Sequence, residues 1–126
     1  MIKVAQARLH DKAKLTVSDS EKLPFDDAKF DLLTCTFSFH HYPNPKSAIA
    51  EMKRVLAPQG KLIIADPWPF VPLRQIVNLL LPLRKSGDVK FYSKKEMCTF
   101  AKAAGFVVLK WSRIGSLNYL MTAEKA

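Results

Sequence analysis

Residues 30–41 read Phe30-Asp31-Leu32-Leu33-Thr34-Cys35-Thr36-Phe37-Ser38-Phe39-His40-His41. After Asp31 every side chain up to Phe39 is apolar or small, without the polar alternation of a half-exposed strand. Such a run predicts a central β-strand over 30–39, covered on both faces as in a parallel sheet. A second buried run, Lys61-Leu62-Ile63-Ile64-Ala65-Asp66, follows. Between them Pro43-Asn44-Pro45 breaks the chain, and Ala48, Ile49, Met52, Val55 and Leu56 form one helical stripe over 46–56 that Pro58-Gln59-Gly60 ends. Strand, helix, strand is the unit of an α/β fold.

The flanks agree. Toward the C-terminus, Pro67-Trp68-Pro69-Phe70-Val71-Pro72 excludes regular structure, and residues 73–84 read as an amphipathic helix that Pro82 ends. Ser93 and Glu96 have the spacing of a capping box, opening a helix to Ala104 with Gly105 beyond its end. Strands at 106–111 and 117–123 flank Gly115-Ser116, the pattern of an antiparallel hairpin. Toward the N-terminus, Ile2, Ala5 and Leu9 predict a helix over 1–12, Leu15-Thr16-Val17 a short strand, and Pro24 an extended loop over 20–29. The expected architecture is an α/β sheet, mostly parallel, with one antiparallel strand at its end.

The 126 residues make room for a single domain, 1–126, and the four glycines are too widely spaced for G-x-G-x-x-G or a Walker loop. Cys35 and Cys98 belong to no C-x-x-C pair and, with His10, His40 and His41, complete no zinc pattern, so no metal site is expected. The thiols fit a reduced, cytoplasmic chain. No secretory h-region is visible, and the longest apolar run, 76–83, is interrupted by Asn78 and Pro82. The net charge of +9 is read as a solvated basic surface. No RNA-binding aromatic motif accompanies it, so a nucleic-acid partner is not supported.

Four stretches together resemble the class I S-adenosylmethionine-dependent methyltransferases, nearest the quinone-biosynthesis C-methyltransferases of their small-molecule branch. Ser18-Asp19-Ser20-Glu21-Lys22-Leu23-Pro24-Phe25 is similar to the family's acidic loop after the third strand. Residues 30–41 resemble its fourth-strand motif. Residues 48–66, with Glu51-Met52-Lys53-Arg54-Val55-Leu56-Ala57-Pro58-Gln59-Gly60, resemble the next helix and fifth strand. Residues 92–106 resemble the last helix entering the terminal hairpin.

The resemblance implies a Rossmann-like methyltransferase sheet with S-adenosylmethionine as cofactor and a small-molecule methyl acceptor. It implies that Asp19 accepts from the adenine amino group, that the Ser20 backbone N–H lies near the ring, and that Thr36 faces the methionine part. Catalytic residues stay unassigned: His40 and His41 are candidates for a general base, set against a structural role in packing the strand end. Asp66 ends a strand on the ligand side, where acids often only cap loops. Residues 67–91 are read as a lid or substrate insertion, with Arg74, Arg84, Lys85 and Lys90 able to steer an anionic acceptor.

The departure from the family is its missing glycine-rich turn and ribose-binding acid. The resemblance therefore implies an N-terminally incomplete, truncated form, with Met1 at an internal position of the helix after the second strand and little activity from the chain alone. A strand 30–39 without neighbours on one side offers an open edge, which implies a homodimer or segment exchange there. The alternatives are a non-enzymatic association module of methyltransferase-like fold and one half of a split enzyme.

Overall fold

A computed structural model describes residues 2–83 and 87–126. The elements are α1 (Ile2–Leu9), β1 (Phe30–Thr36), α2 (Pro45–Val55), β2 (Leu56–Pro67), α3 (Leu73–Leu80), α4 (Lys94–Ala103), β3 (Phe106–Ile114) and β4 (Asn118–Lys125). They follow the order expected from the sequence, with one exception. Residues 15–17 pair with no strand among the described residues; only an isolated bridge, Asp19 to Lys22, forms nearby. Three residues of suitable composition do not make a strand without a neighbour to receive their N–H and C=O groups.

The sheet has four strands in the order β1-β2-β4-β3. β1 and β2 are parallel, while β4 runs against both β2 and β3, so three strands share one direction and the last is reversed. Pro58-Gln59-Gly60, expected to stop the helix, lies inside β2 instead. α2 passes directly into β2 at Leu56, and extra residues bulge out of β2 between the pairs Phe30–Leu56 and Leu32–Lys61.

One face of the sheet carries the core. Leu62 lies opposite Ala123, Ile64 opposite Met121 and Asp66 opposite Tyr119. All six are buried, under Ile49 and Met52 of α2 and Met97 and Ala101 of α4. β1 departs from expectation. It stands at the edge of the sheet, and of its seven residues only Cys35 is buried, while Leu32 is 53% exposed. Its composition predicts a central strand covered on both faces, yet among the described residues no strand lies beyond β1 and its faces are largely open.

α4 starts as its sequence predicts. Ser93 Oγ accepts from the Glu96 N–H at 3.2 Å, and the Glu96 carboxylate accepts from the Ser93 N–H at 2.8 Å. At the other end Gly105 takes φ +88, the left-handed conformation that lets the chain leave the helix for β3. Burial pushes the Glu96 carboxyl up, but Lys90 Nζ at 2.6 Å and the Ser93 donors outweigh it and hold it down to about 2. Ser93→Ala should cost about 1 kcal/mol in chemical denaturation. Glu96→Ala should destabilise the chain at pH 7, with the deficit shrinking as pH falls from about 4.3, the free carboxyl value, toward 2. Thermal melts across that window check the sign.

Candidate functional site

Parallel pairing sets the carboxyl ends of β1 and β2 side by side, the position where open α/β sheets bind ligands. β1 ends at Thr36, and Phe37, at φ +50, turns the chain while donating its N–H to Ala65 O at 2.8 Å. A 3₁₀ turn, Phe39–His41, follows. Phe39 is fully buried, its ring edge-on to Tyr42 at 5.3 Å and Tyr92 at 5.8 Å. This anchor directs His40 onto Asp66 near the end of β2. The His40 N–H donates to Asp66 Oδ2 at 3.0 Å, and His40 Nδ1 lies 3.0 and 3.1 Å from the two carboxylate oxygens. Both residues are buried, and burial pushes the Asp66 carboxyl up, against the pull of His40.

Residues 87–91 close over this pair. His40 Nε2 lies 3.3 Å from Asp88 Oδ1, and the His40 ring stacks on Phe91 at 5.1 Å. The N–H groups of Val89 and Lys90 donate to His40 O at 2.8 and 3.2 Å. Asn78 of α3 holds the same segment, its side chain donating to Phe91 O at 3.0 Å and accepting from Phe91 N at 2.9 Å. His41 is more open. Its Nδ1 lies 3.2 Å from Asp88 Oδ1 and 3.0 Å from Gly87 O.

Beside β1 lies a cavity of about 470 Å³ whose lining includes Ser20, Leu23, Phe25, Leu33, Thr36 and Tyr42. Cys35 Sγ, Ser38 Oγ and Tyr42 Oη meet in its wall, 3.3 to 3.6 Å apart. Burial pushes the Cys35 thiol up and the Tyr42 hydroxyl up to about 12, so both stay protonated at neutral pH. Arg54 of α2 secures the rim. It donates to both Glu51 oxygens, to the carbonyls of Leu23 and Phe25, and to Asp27, which uses all five guanidinium N–H groups.

Ser20 and Thr36, two of the three residues expected at the cofactor, thus share one cavity. Asp19 does not line it. Its Oδ1 accepts from the Glu21 N–H at 2.8 Å and shapes the turn that presents Ser20. His40 and His41 stand together with Asp66, which the sequence offered only as a strand-end acid. Asp88, Ser38 and Tyr42 escaped the sequence reading. The C-x-x-S spacing of Cys35 and Ser38 hints at a local contact, but no pattern joins Asp88 to a histidine pair nearly fifty residues upstream. Of the basic residues assigned to the lid, Arg84 and Lys85 lie outside the described residues, as does Met1.

Residues 1–64 match the family described as the methyltransferase domain. The chain belongs to that family. A ubiquinone/menaquinone biosynthesis C-methyltransferase of Paraburkholderia phymatum is 39% identical over 92 residues, covering 71% of this chain and 34% of the relative. An uncharacterized Escherichia coli protein, YafE, is 34% identical over 91 residues, covering 71% and 44%. This methyltransferase-family chain thus spans between a third and a half of the length of these relatives. Its fold is also that of a SAM-dependent methyltransferase from Aquifex aeolicus, with TM-score 0.74, 24% identity and coverage of 99% of this chain and 61% of the other. The YcgJ protein of Bacillus subtilis superposes with TM-score 0.80 at 19% identity, covering 98% and 76%.

Cys35 is buried and Cys98 half-buried. An aromatic disulfide reagent on the folded chain should therefore label Cys98 first, with Cys35 reacting only when denaturant opens the sheet. Simultaneous labelling of both would contradict the packing around Cys35.

Proposed function

We propose that this chain is the acceptor-side portion of an S-adenosylmethionine-dependent methyltransferase acting on a small molecule. The observation that carries the reading is that Ser20 and Thr36 line one cavity beside β1 in a chain of the methyltransferase family, while the His40–Asp66 pair stands at the end of β2 after the turn that follows β1. The cavity lies in the size range of small-molecule sites. Its hydroxyl groups and apolar wall suit one side of a cofactor that joins a polar amino-acid part to a flat ring.

When bound, S-adenosylmethionine supplies a methyl group already activated on a sulfonium. The protein's work is alignment and exclusion of water. The Ser20 backbone and the exposed Asp19 carboxylate would hold the adenine edge, and Thr36 would hold the methionine end. His40 has carboxylates at both ring nitrogens, which suits it to positioning. His41, the more exposed of the pair, is the better placed to take a proton from an acceptor. The described residues of 67–91 would serve as the lid over that acceptor. Residues 2–126 hold no glycine-rich turn, so the chain alone gives little activity.

Titration of the isotope-labelled chain with S-adenosylhomocysteine at millimolar concentration should shift the backbone amides of Ser20 and Thr36. Calorimetry of the same chain should find no low-micromolar site for S-adenosylmethionine. Unmoved Ser20 and Thr36 amides would refute the placement; low-micromolar binding would refute the incompleteness.

A second reading follows from β1. An edge strand with Leu32 53% exposed and its outer N–H and C=O row without a strand neighbour among the described residues is a template for a second copy of this chain. Sedimentation of the 126-residue chain should give a dimer, and Leu32→Lys should shift it toward monomer. A compact monomer at high concentration counts against this edge as an interface.

A further inference from the structure

The turn after β1 and residues 87–91 share a cluster of ligand-type groups whose joint arrangement a general base alone does not call for. One oxygen, Asp88 Oδ1, lies 3.3 Å from His40 Nε2 and 3.2 Å from His41 Nδ1. Ligand-type atoms of the three residues all fall within 4.8 Å of one another. Charge-assisted N–H···O bonds are shorter, about 2.7–2.9 Å. By contrast, a tetrahedral ion with N and O ligands at about 2.0–2.1 Å holds neighbouring donor atoms roughly 3.3–3.4 Å apart. The spacings at Asp88 are those of two edges of a coordination tetrahedron.

We propose that His40 Nε2, His41 Nδ1 and the Asp88 carboxylate bind one divalent first-row transition ion, with Zn²⁺ as its representative. The support behind His40 is already built. Asp66, 3% exposed, lies 3.0 and 3.1 Å from His40 Nδ1 and stations the ring proton there, which leaves the lone pair of Nε2 toward Asp88. A carboxylate behind an imidazole that ligates through its other nitrogen is the usual outer support of metal-bound histidine. Phe91, stacked at 5.1 Å, sets the plane of the ring. Two imidazoles and one carboxylate select first-row transition ions over Mg²⁺ or Ca²⁺.

Gly87 O lies 3.0 Å from His41 Nδ1. Without the ion that nitrogen carries its proton and donates to the carbonyl; ion binding displaces the proton, as metal binding to imidazole requires. Three protein ligands leave a position for water. The ion would join the 3₁₀ turn after β1 to the far end of the lid, so its role is a clamp that holds residues 87–91 over the strand ends. The proposal does not rest on the methyl-transfer reading.

The test is Zn²⁺ titration of the intact 126-residue chain by calorimetry, with Co²⁺ absorption as a spectroscopic companion. One ion per chain is expected, together with visible Co²⁺ bands free of thiolate charge transfer and a raised melting temperature. His41→Ala and Asp88→Asn should each weaken Zn²⁺ binding by at least about 100-fold, the upper end of what loss of even a supporting group costs. Cys98→Ser should leave it unchanged. In the unsubstituted chain, ring-nitrogen NMR should show His40 Nε2 and His41 Nδ1 shifting with Zn²⁺, a readout that no folding defect can blur. Absence of stoichiometric uptake, unshifted ring nitrogens, uptake that survives both ligand substitutions, or its loss in Cys98→Ser would each overturn the proposal.

Discussion

Asp66 is the constraint around which this end of the molecule is organised. Removing a carboxylate from water costs several kcal/mol unless polar groups replace the lost hydration. Here the replacement is His40, which supplies both its backbone N–H and its Nδ1. That requires the chain after β1 to turn tightly and bring residue 40 back over the end of β2. Phe37 takes up the turn at positive φ, and Phe39 drives it inward with a fully buried ring. The same turn then presents His40 O to the backbone of Val89 and Lys90, and so fixes where residues 87–91 lie. A buried acid, one aromatic anchor and a closing segment form one cooperative unit.

A second unit shapes the cavity on the other side of β1. Residues 20–29 have no regular structure to hold them, and Pro24 excludes a helix. Arg54 substitutes for a backbone ladder by spending its five donors on two carboxylates and two carbonyls. Its hydrogen bonds to Glu51 hold that carboxyl below the ordinary range, and the Leu23 N–H adds to the effect. Ser20 reaches the cavity wall because Asp19 caps the turn before it and Arg54 ties down the stretch after it. A lysine could not perform this role, since an ammonium has three donors and no planar fork.

Signals carried by a few adjacent residues were legible. The capping box at Ser93 and Glu96, Gly105 closing α4 and the Gly115-Ser116 turn all depend on backbone chemistry within four positions, and each element lies where that chemistry places it. Signals that depend on a neighbour were less legible. Residues 15–17 have strand composition, yet a strand exists only where another receives its hydrogen bonds. Residues 30–39 have the composition of a covered strand, yet β1 is largely exposed because coverage belongs to the sheet around it. The residues of the cavity and the histidine turn were named in advance where a family pattern carried them. Asp88 was not, because nothing local distinguishes it from any loop aspartate.

The sequence by itself determined the α/β class, the order of the elements, the reversal of the last strand and the family, since hydrophobic period, caps and motif runs are properties of short segments. The tertiary structure alone decided the rest. It set β1 at an edge, put Asp66 behind His40, and carried Asp88 across the fold to meet both histidines. The physical reason is that these contacts join residues about 25 to 50 positions apart, and only the parallel pairing of β1 with β2 and the return of residues 87–91 to the strand ends bring them within hydrogen-bonding or coordination reach.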